Sequence, residues 1–292
     1  MTRSGWNASS RLLAVVLLLD GCTHVPGAVP RALGAMPFPV DSSRVEMVAA
    51  GIAHRFIRSS AGPWTINVLD VDLDRCNGAQ AVASSDTVLR RMKTTEMLAR
   101  LGKRERVLGG VNADFFNLGN GAPTNLLVIN GTMRSLPISQ PVLAFDSAAV
   151  ARIGFFTLQQ GVLRPFHPLQ AVGGRPVLVR DSAITAAADT FGSAGFQGPN
   201  PRTAAGVSRG GKRLILAVID GRTERDAGMT LRQTAELMLA LGAVDAINLD
   251  GGGSSTMVVA DASGELRIAN HPSDKEGERA VGDGLAVVKA CR

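Results

Sequence analysis

Asp250 stands in the stretch NLDGGGSST (248–256), at the end of an apolar run and ahead of three glycines and three hydroxyls. Glycines let successive backbone N–H groups converge on one point, and hydroxyls add donors there, so such a turn can cradle an anion. The same order of residues occurs in VIDGR (218–222), where an apolar run ends on Asp220, followed by Gly221 and Arg222. Two carboxylates at strand ends are the groups that glycoside hydrolysis uses as acid, base or nucleophile. The plainer reading is that each aspartate caps its own Asp-Gly turn. GVNADFFNLGNGAPTN (110–125) adds Asn112, Asp114 and Asn117 after another apolar run, with Phe115 and Phe116 to pack or to line a pocket. Its polar spacing lacks the calcium-loop pattern. Arg202, in PRTAAG, gains interest only beside other anion donors, because a guanidinium fork matches phosphate.

Several familiar chemistries are not supported. GVSRG (206–210) has the G-x-S-x-G form, but Gly211, Lys212, Arg213 and a strand follow it. A nucleophile elbow needs a helix there, so Ser208 reads as a hairpin turn. GGGSST lacks the lysine and the following helix of a Walker loop. The four histidines (24, 54, 167, 271) have no ligand spacing and no Cys-x-x-Cys occurs, so zinc is not indicated. No cofactor is expected; a divalent cation at Asp114, Asp220 or Asp250 is left open.

The elements that must position these residues follow from periodicity. Residues 64–73, 125–135, 202–221, 244–250 and 284–290 read as strands or hairpins, with Asn130-Gly131 as a two-residue turn, and 106–116 reads as a strand running into a loop. Two stretches read as helices: 84–102, with Ser85 or Asp86 as cap, and 229–243, where Thr230 and Gln233 form a capping box and Gly242 ends the run. Strands dominate, and 33 glycines imply many tight turns. The fold expected is α+β, or mixed α/β: a strand-rich single domain over 41–292 with a mixed sheet and a few helices.

The chain has 292 residues, 45% hydrophobic and 19% charged, which suits a globular domain. Its net charge of +6 is dispersed, with no reader motif or basic stripe, so nucleic acid is not an expected partner. Residues 1–22 read as a signal peptide: Arg3 and Arg11 precede an apolar run from Leu12 to Leu19 that is too short to span a bilayer. LLDGC resembles a lipobox, which makes Cys22 a lipidation site, although Asp20 departs from that pattern. The Pro/Gly/Ala-rich residues 23–40 then form a tether. The expectation is an exported protein, periplasmic or anchored to the outer membrane, touching the membrane only through that lipid. An oxidising compartment allows Cys76 and Cys291 to pair.

The blocks GGVNADFF, NPRTAAG, VIDGR, GMTLRQTAELMLALGAVDAINLDGGGSSTMVV and ERAVGDGLAVV, in this order, resemble the phosphodiester glycosidase family. The resemblance runs from about Gly109 to Val288, and its long block from Gly228 to Val259 is the specific part. It implies hydrolysis at the anomeric carbon of a sugar linked through a phosphodiester; many bacterial members are tied to exopolysaccharide metabolism. In that light Asp250 is the first candidate to act at the anomeric carbon, Asp220 the second and Asp114 an extra ligand or a bystander. Asn112, Asn248, Arg202, Arg222, Arg279, Gly251, Gly252, Gly253, Ser254 and Ser255 would bind the substrate, the arginines and the turn N–H groups taking the phosphate. Two other readings remain: a phosphodiesterase cleaving P–O, and a non-catalytic protein that binds anionic glycan. An enzyme requires Asp250 or Asp220 to share one cleft with the arginines.

Overall fold

The computed structural model describes residues 1–2, 34–85 and 89–290. The signal peptide, Cys22, Asp86 and Cys291 lie outside them. The domain is mixed α/β and strand-rich, with a few helices between strands. Every pairing among its named strands is antiparallel, so the mixture lies in the inserted helices and not in strand direction.

Three sheets enclose the main core. An eight-stranded sheet runs in the order 42–49, 52–59, 64–72, 213–219, 202–207, 245–248, 177–180, 183–184. A five-stranded sheet has 266–268, 257–260, 107–112, 283–289 and 77–83; a second has 151–155, 141–145, 170–173, 127–129 and 132–135. The alternation of side chains explains the layering. Leu214, Leu216 and Val218 point into the core shared by the sheets, where Leu69, Val111, Leu143 and Leu285 meet them. Ile215, Ala217 and Ile219 face the other way, under the helix Leu231–Ala240. That helix begins with the expected capping box of Thr230 and Gln233. The helix Thr94–Gly102 covers the outer face of the 107–112 sheet through Met97, Leu98 and Leu101.

Two expectations need correction. The helix expected over 84–102 occupies only its second half, because Met92–Lys93 pair as a strand with Ala280–Val281. The tether expected to reach residue 40 does not: Met36 and Phe38 pack on the outer core, and the Phe38 ring lies edge-on to Trp64 at 4.9 Å. Both misread apolar residues whose partners lie far along the chain. Cys76 is disulfide-bonded, and its carbonyl accepts the N–H of Ala290 at 2.7 Å.

Strand polarity sets the site. Asn112, Gly173 and Asn248 end their strands, and Arg202 and Asp283 begin theirs, at one common end of the three sheets. The loops leaving that end carry Asp114, Arg175 and Asp250.

Candidate active site

A cleft of about 600 Å³ opens at these strand ends. Asp250 and Gly251–Gly253 line it, with Arg222 and Arg279 beside them; Phe115, Phe191 and Phe196 form an aromatic wall, with Arg175 and Arg202 against their rings. Four guanidinium groups and one carboxylate therefore line it, which leaves a cavity of net positive charge suited to an anion.

Asp250 is held through its backbone: its N–H donates to Ala113 O at 2.8 Å, and its carbonyl accepts Asn112 Nδ2 at 2.6 Å. Its side chain is half-buried. Burial pushes its pKa up to about 6, against Ser254 Oγ, Arg279, the Gly251 N–H and Arg175, which all favour the ionised form. Ser254 Oγ lies close to the carboxylate, but without hydrogen-bond geometry to any partner.

Asp114 lies behind it, buried, with Oδ2 accepting the Asn125 N–H at 2.8 Å. Burial pushes Asp114 up to about 7; Asp250 adds to this while two backbone N–H groups and Arg175 oppose it. Asp283 completes the group. It has no solvent exposure, and burial followed by the charge of Asp114 raises its pKa well above the usual carboxylate range. Three interacting carboxyl groups thus sit at the cleft, the outermost being the one that reaches it. Among the described residues no group of three or more His, Cys, Asp or Glu side chains converges as a metal site.

The arginines are placed by different means. Arg222 adopts a left-handed φ of 62° and donates Nε and Nη2 to Asn200 Oδ1, which lays its guanidinium across Gly252. Arg279 forks onto Asp274, with Nε–Oδ2 2.7 Å and Nη2–Oδ1 3.0 Å, and this pair lies against Gly253. Arg175 stacks on the Phe115 ring at 4.6 Å. Arg202 is buried and donates to the carbonyls of Met229, Phe196 and Gly198. It is a pillar for the aromatic wall; burial and the nearby Arg222 lower its pKa to about 10.

The remaining expected residues are placed elsewhere or turned inward. Asp220 does not line the cleft. Its carboxylate accepts Asn270 Nδ2 and the His271 N–H, so it anchors that loop, and burial raises its pKa to about 6. Asn112 Oδ1 accepts Thr203 Oγ1 and the Thr256 N–H, which with the bond to Asp250 commits the whole amide. Asn248 Nδ2 donates to the carbonyls of Arg175 and Leu249 and holds the two loops together. The anion nest expected of Gly251 to Ser255 is largely closed: the N–H groups of Gly252, Ser254 and Ser255 donate to Pro201, Gly251 and Gly252 carbonyls. A tight 3-10 turn satisfies its own donors. Ser255 Oγ is buried, away from the cleft. Arg175, Asp283 and the Phe191–Phe196 wall were not anticipated. The first two carried a signal: each stands beside glycine where an apolar run begins or ends, in AVGGRPV and VGDGLAVV.

Comparison with known proteins places the chain in a family. The profile of the family described as Phosphodiester glycosidase matches residues 105–288. N-acetylglucosamine-1-phosphodiester alpha-N-acetylglucosaminidase of Bos taurus is 48% identical over 73 residues, 25% of this chain and 12% of the bovine protein; the Homo sapiens protein is 48% identical over 73 residues and 13% of its length. The chain thus matches about an eighth of the length of these relatives. The uncharacterized prophage-derived protein YomE of Bacillus subtilis is 28% identical over 66% of this chain and 29% of its own. Among solved structures, a hypothetical protein from Synechocystis superposes with a TM-score of 0.66 at 17% identity, over 85% of this chain and 63% of that one. The zebrafish N-acetylglucosamine-1-phosphodiester alpha-N-acetylglucosaminidase catalytic domain, auto-inhibited by pro-peptide, gives 0.63 at 22% identity, over 88% and 86%. At these identities the structural likeness speaks for the fold alone.

Proposed function

The chain belongs to the phosphodiester glycosidase family, and from that premise we propose that its cleft hydrolyses the C1–O bond of a sugar linked through a phosphodiester. The observation that carries this reading is the meeting of Asp250 with Arg175, Arg222 and Arg279 in one cleft. A glycan-binding protein needs the cations but has no use for a half-buried carboxylate whose pKa is pushed up to about 6.

The chemistry follows from the groups present. The C1–O bond breaks and its electron pair stays on the phosphate oxygen, so the phosphomonoester leaves as an anion. Arg222 and Arg279 neutralise that charge as it develops. This leaving group needs little protonation, because a phosphate ester ionises near pH 6. Asp250, ionised, acts on the anomeric carbon or on the attacking water; the water oxygen ends on C1 and its proton passes to the carboxylate and then to solvent. Burial holds Asp114 and Asp283 back from both ionising, which leaves Asp250, at about 6, the carboxylate of the three that the cleft can use in its charged form. Phe115, Phe191 and Phe196 offer an apolar face to the sugar ring.

Export of the protein is part of this reading. It is supported by the N-terminal residue pattern and by the disulfide at Cys76. The substrate then lies in the cell envelope or in extracellular polysaccharide. Hydrolysis in heavy-oxygen water tests the reaction. Label is expected on the sugar C1, and label on the phosphate instead means P–O cleavage.

A further inference from the structure

The catalytic cleft opens beside a larger groove. This groove has a volume of about 1070 Å³, and Arg279 lines both. Arg90, Arg91, Lys93 and Lys275 line the groove and are exposed, with no salt bridge among the described residues. Three carboxylates also line it, and two are committed elsewhere. Asp274 holds the fork of Arg279. Glu278 accepts the Thr95 N–H at 2.9 Å and Thr95 Oγ1 at 2.6 Å, at the start of the helix Thr94–Gly102. Among the described residues that line it, Glu276 is the carboxylate left to face four cations. Like charges gathered in one concavity repel and add nothing to folding. Their placement is accounted for by a ligand that carries several negative charges.

We propose that this groove binds the leaving side of the substrate, and that the leaving side is a chain with repeated phosphodiester groups. The inference rests on the reading of the cleft above. Arg279 stands at the junction, beside Asp250 on one side and the groove on the other. A phosphate held at Arg279 places its sugar towards Asp250 and the Phe wall, and its other ester towards Arg90, Arg91, Lys93 and Lys275. A polymer whose repeat contains the bond that the cleft cuts presents one anion per repeat to those cations. The pairing of Met92–Lys93 with Ala280–Val281 fixes two sides of the groove to each other, so the cations are preorganised.

The test uses inorganic polyphosphate of about ten units, which has no C1–O bond to cut, and pyrophosphate as the short reference. Titration calorimetry on the wild-type chain at low salt is expected to show polyphosphate binding at least about tenfold more tightly, with the advantage collapsing near 0.5 M salt. The double variant R91E/K275E is expected to bring polyphosphate down to the affinity of pyrophosphate. The double variant K103E/R104E, an equal charge change outside the groove, is expected to leave the advantage in place. No chain-length dependence, or equal losses in both double variants, overturns the proposal. Hydrolysis separates it from the parent reading. If wild type cleaves a one-unit sugar-1-phosphodiester but polyphosphate shows no chain-length advantage, the groove proposal fails and the reaction stands. If polyphosphate binds as expected but no sugar phosphodiester is cleaved, the reaction fails and the groove remains an anion-binding site.

Discussion

Asp283 Oδ1 accepts the main-chain N–H of Asp114 at 2.7 Å, which ties the start of one strand to the loop that leaves its neighbour. The second oxygen of Asp283 is buried without a hydrogen-bond partner. Two carboxyls so close in a dry place cannot both ionise without a large cost, so the pair retains a proton near neutrality. Asp250 reaches the cleft in front of them. The arrangement separates one carboxylate that can be charged from two that are held back.

This pair makes stability fall with rising pH. Burial raises the folded-state pKa of Asp114 to about 7 and that of Asp283 well above the ordinary carboxylate value. The folded state therefore binds more protons than the unfolded chain above about pH 4, and stability is lost as pH rises towards and through 7. Asp283→Asn keeps an acceptor for the Asp114 N–H and removes the charge. Its thermal midpoint should exceed that of wild type at pH 8, by an amount corresponding to on the order of 1–3 kcal/mol, and the difference should vanish near pH 4. Equal midpoints at pH 8 would show that the pair carries no such cost.

The pH dependence of turnover should follow Asp250. In the reaction proposed above Asp250 acts in its ionised form, so kcat/KM should rise with pH through about 6. Arg279 favours the ionised form of this carboxylate. Arg279→Gln should therefore move the acidic limb of the profile to higher pH, in addition to lowering activity about tenfold or more through lost phosphate contact. An acidic limb left in place by the substitution would separate Arg279 from the titration.

How much of this was legible in the sequence depends on how local each signal is. The 231–240 helix was readable because Thr230, Gln233 and Gly242 carry its start and stop within one segment. The strand ends bearing Asp250 and Asp220 were readable for the same reason. What local order could not show is which loops meet. Asp220 and Asp250 occupy equivalent positions on their strands, yet one anchors Asn270 and His271 and the other faces the arginines. The other two carboxyls of the site, Asp114 and Asp283, stand 136 positions before Asp250 and 33 after it by their numbers, and it is the pairing of distant strands that brings them together. The glycine turn misled for a related reason: glycine permits an open nest of N–H groups, but tertiary contacts with Pro201 and the turn's own carbonyls closed most of it.

The contrast between the two aspartates is itself testable. Asp250→Asn should lower kcat by a factor of roughly 10² to 10⁴ with little change in thermal midpoint. Asp220→Ala should act on the fold instead. It leaves the His271 N–H without its acceptor and Asn270 Nδ2 with the Ser255 carbonyl as its one remaining acceptor, so the midpoint should fall by an amount corresponding to about 1–3 kcal/mol, while the protein that remains folded turns over within a few-fold of wild type. A kcat loss for Asp220→Ala as deep as that for Asp250→Asn would return Asp220 to the chemistry.

Gly253 earns its place by what a side chain would strike. A Cβ there would lie 2.0 Å from Asp274 Oδ1 and 2.3 Å from Arg279 Nη2, both well inside van der Waals contact. Its backbone is not in the left-handed region, so the conformation itself tolerates alanine. The cost of Gly253→Ala therefore falls on the Arg279–Asp274 pair, which must move away from the turn. Both side chains are partly exposed and have room to swing outward, so the fold should lose little. Arg279 would then leave the position between cleft and groove. The expected result is a KM raised about tenfold or more for a phosphodiester substrate with a thermal midpoint within a few degrees of wild type. Full activity in this variant would mean that the phosphate is held by Arg222 and Arg175 without Arg279.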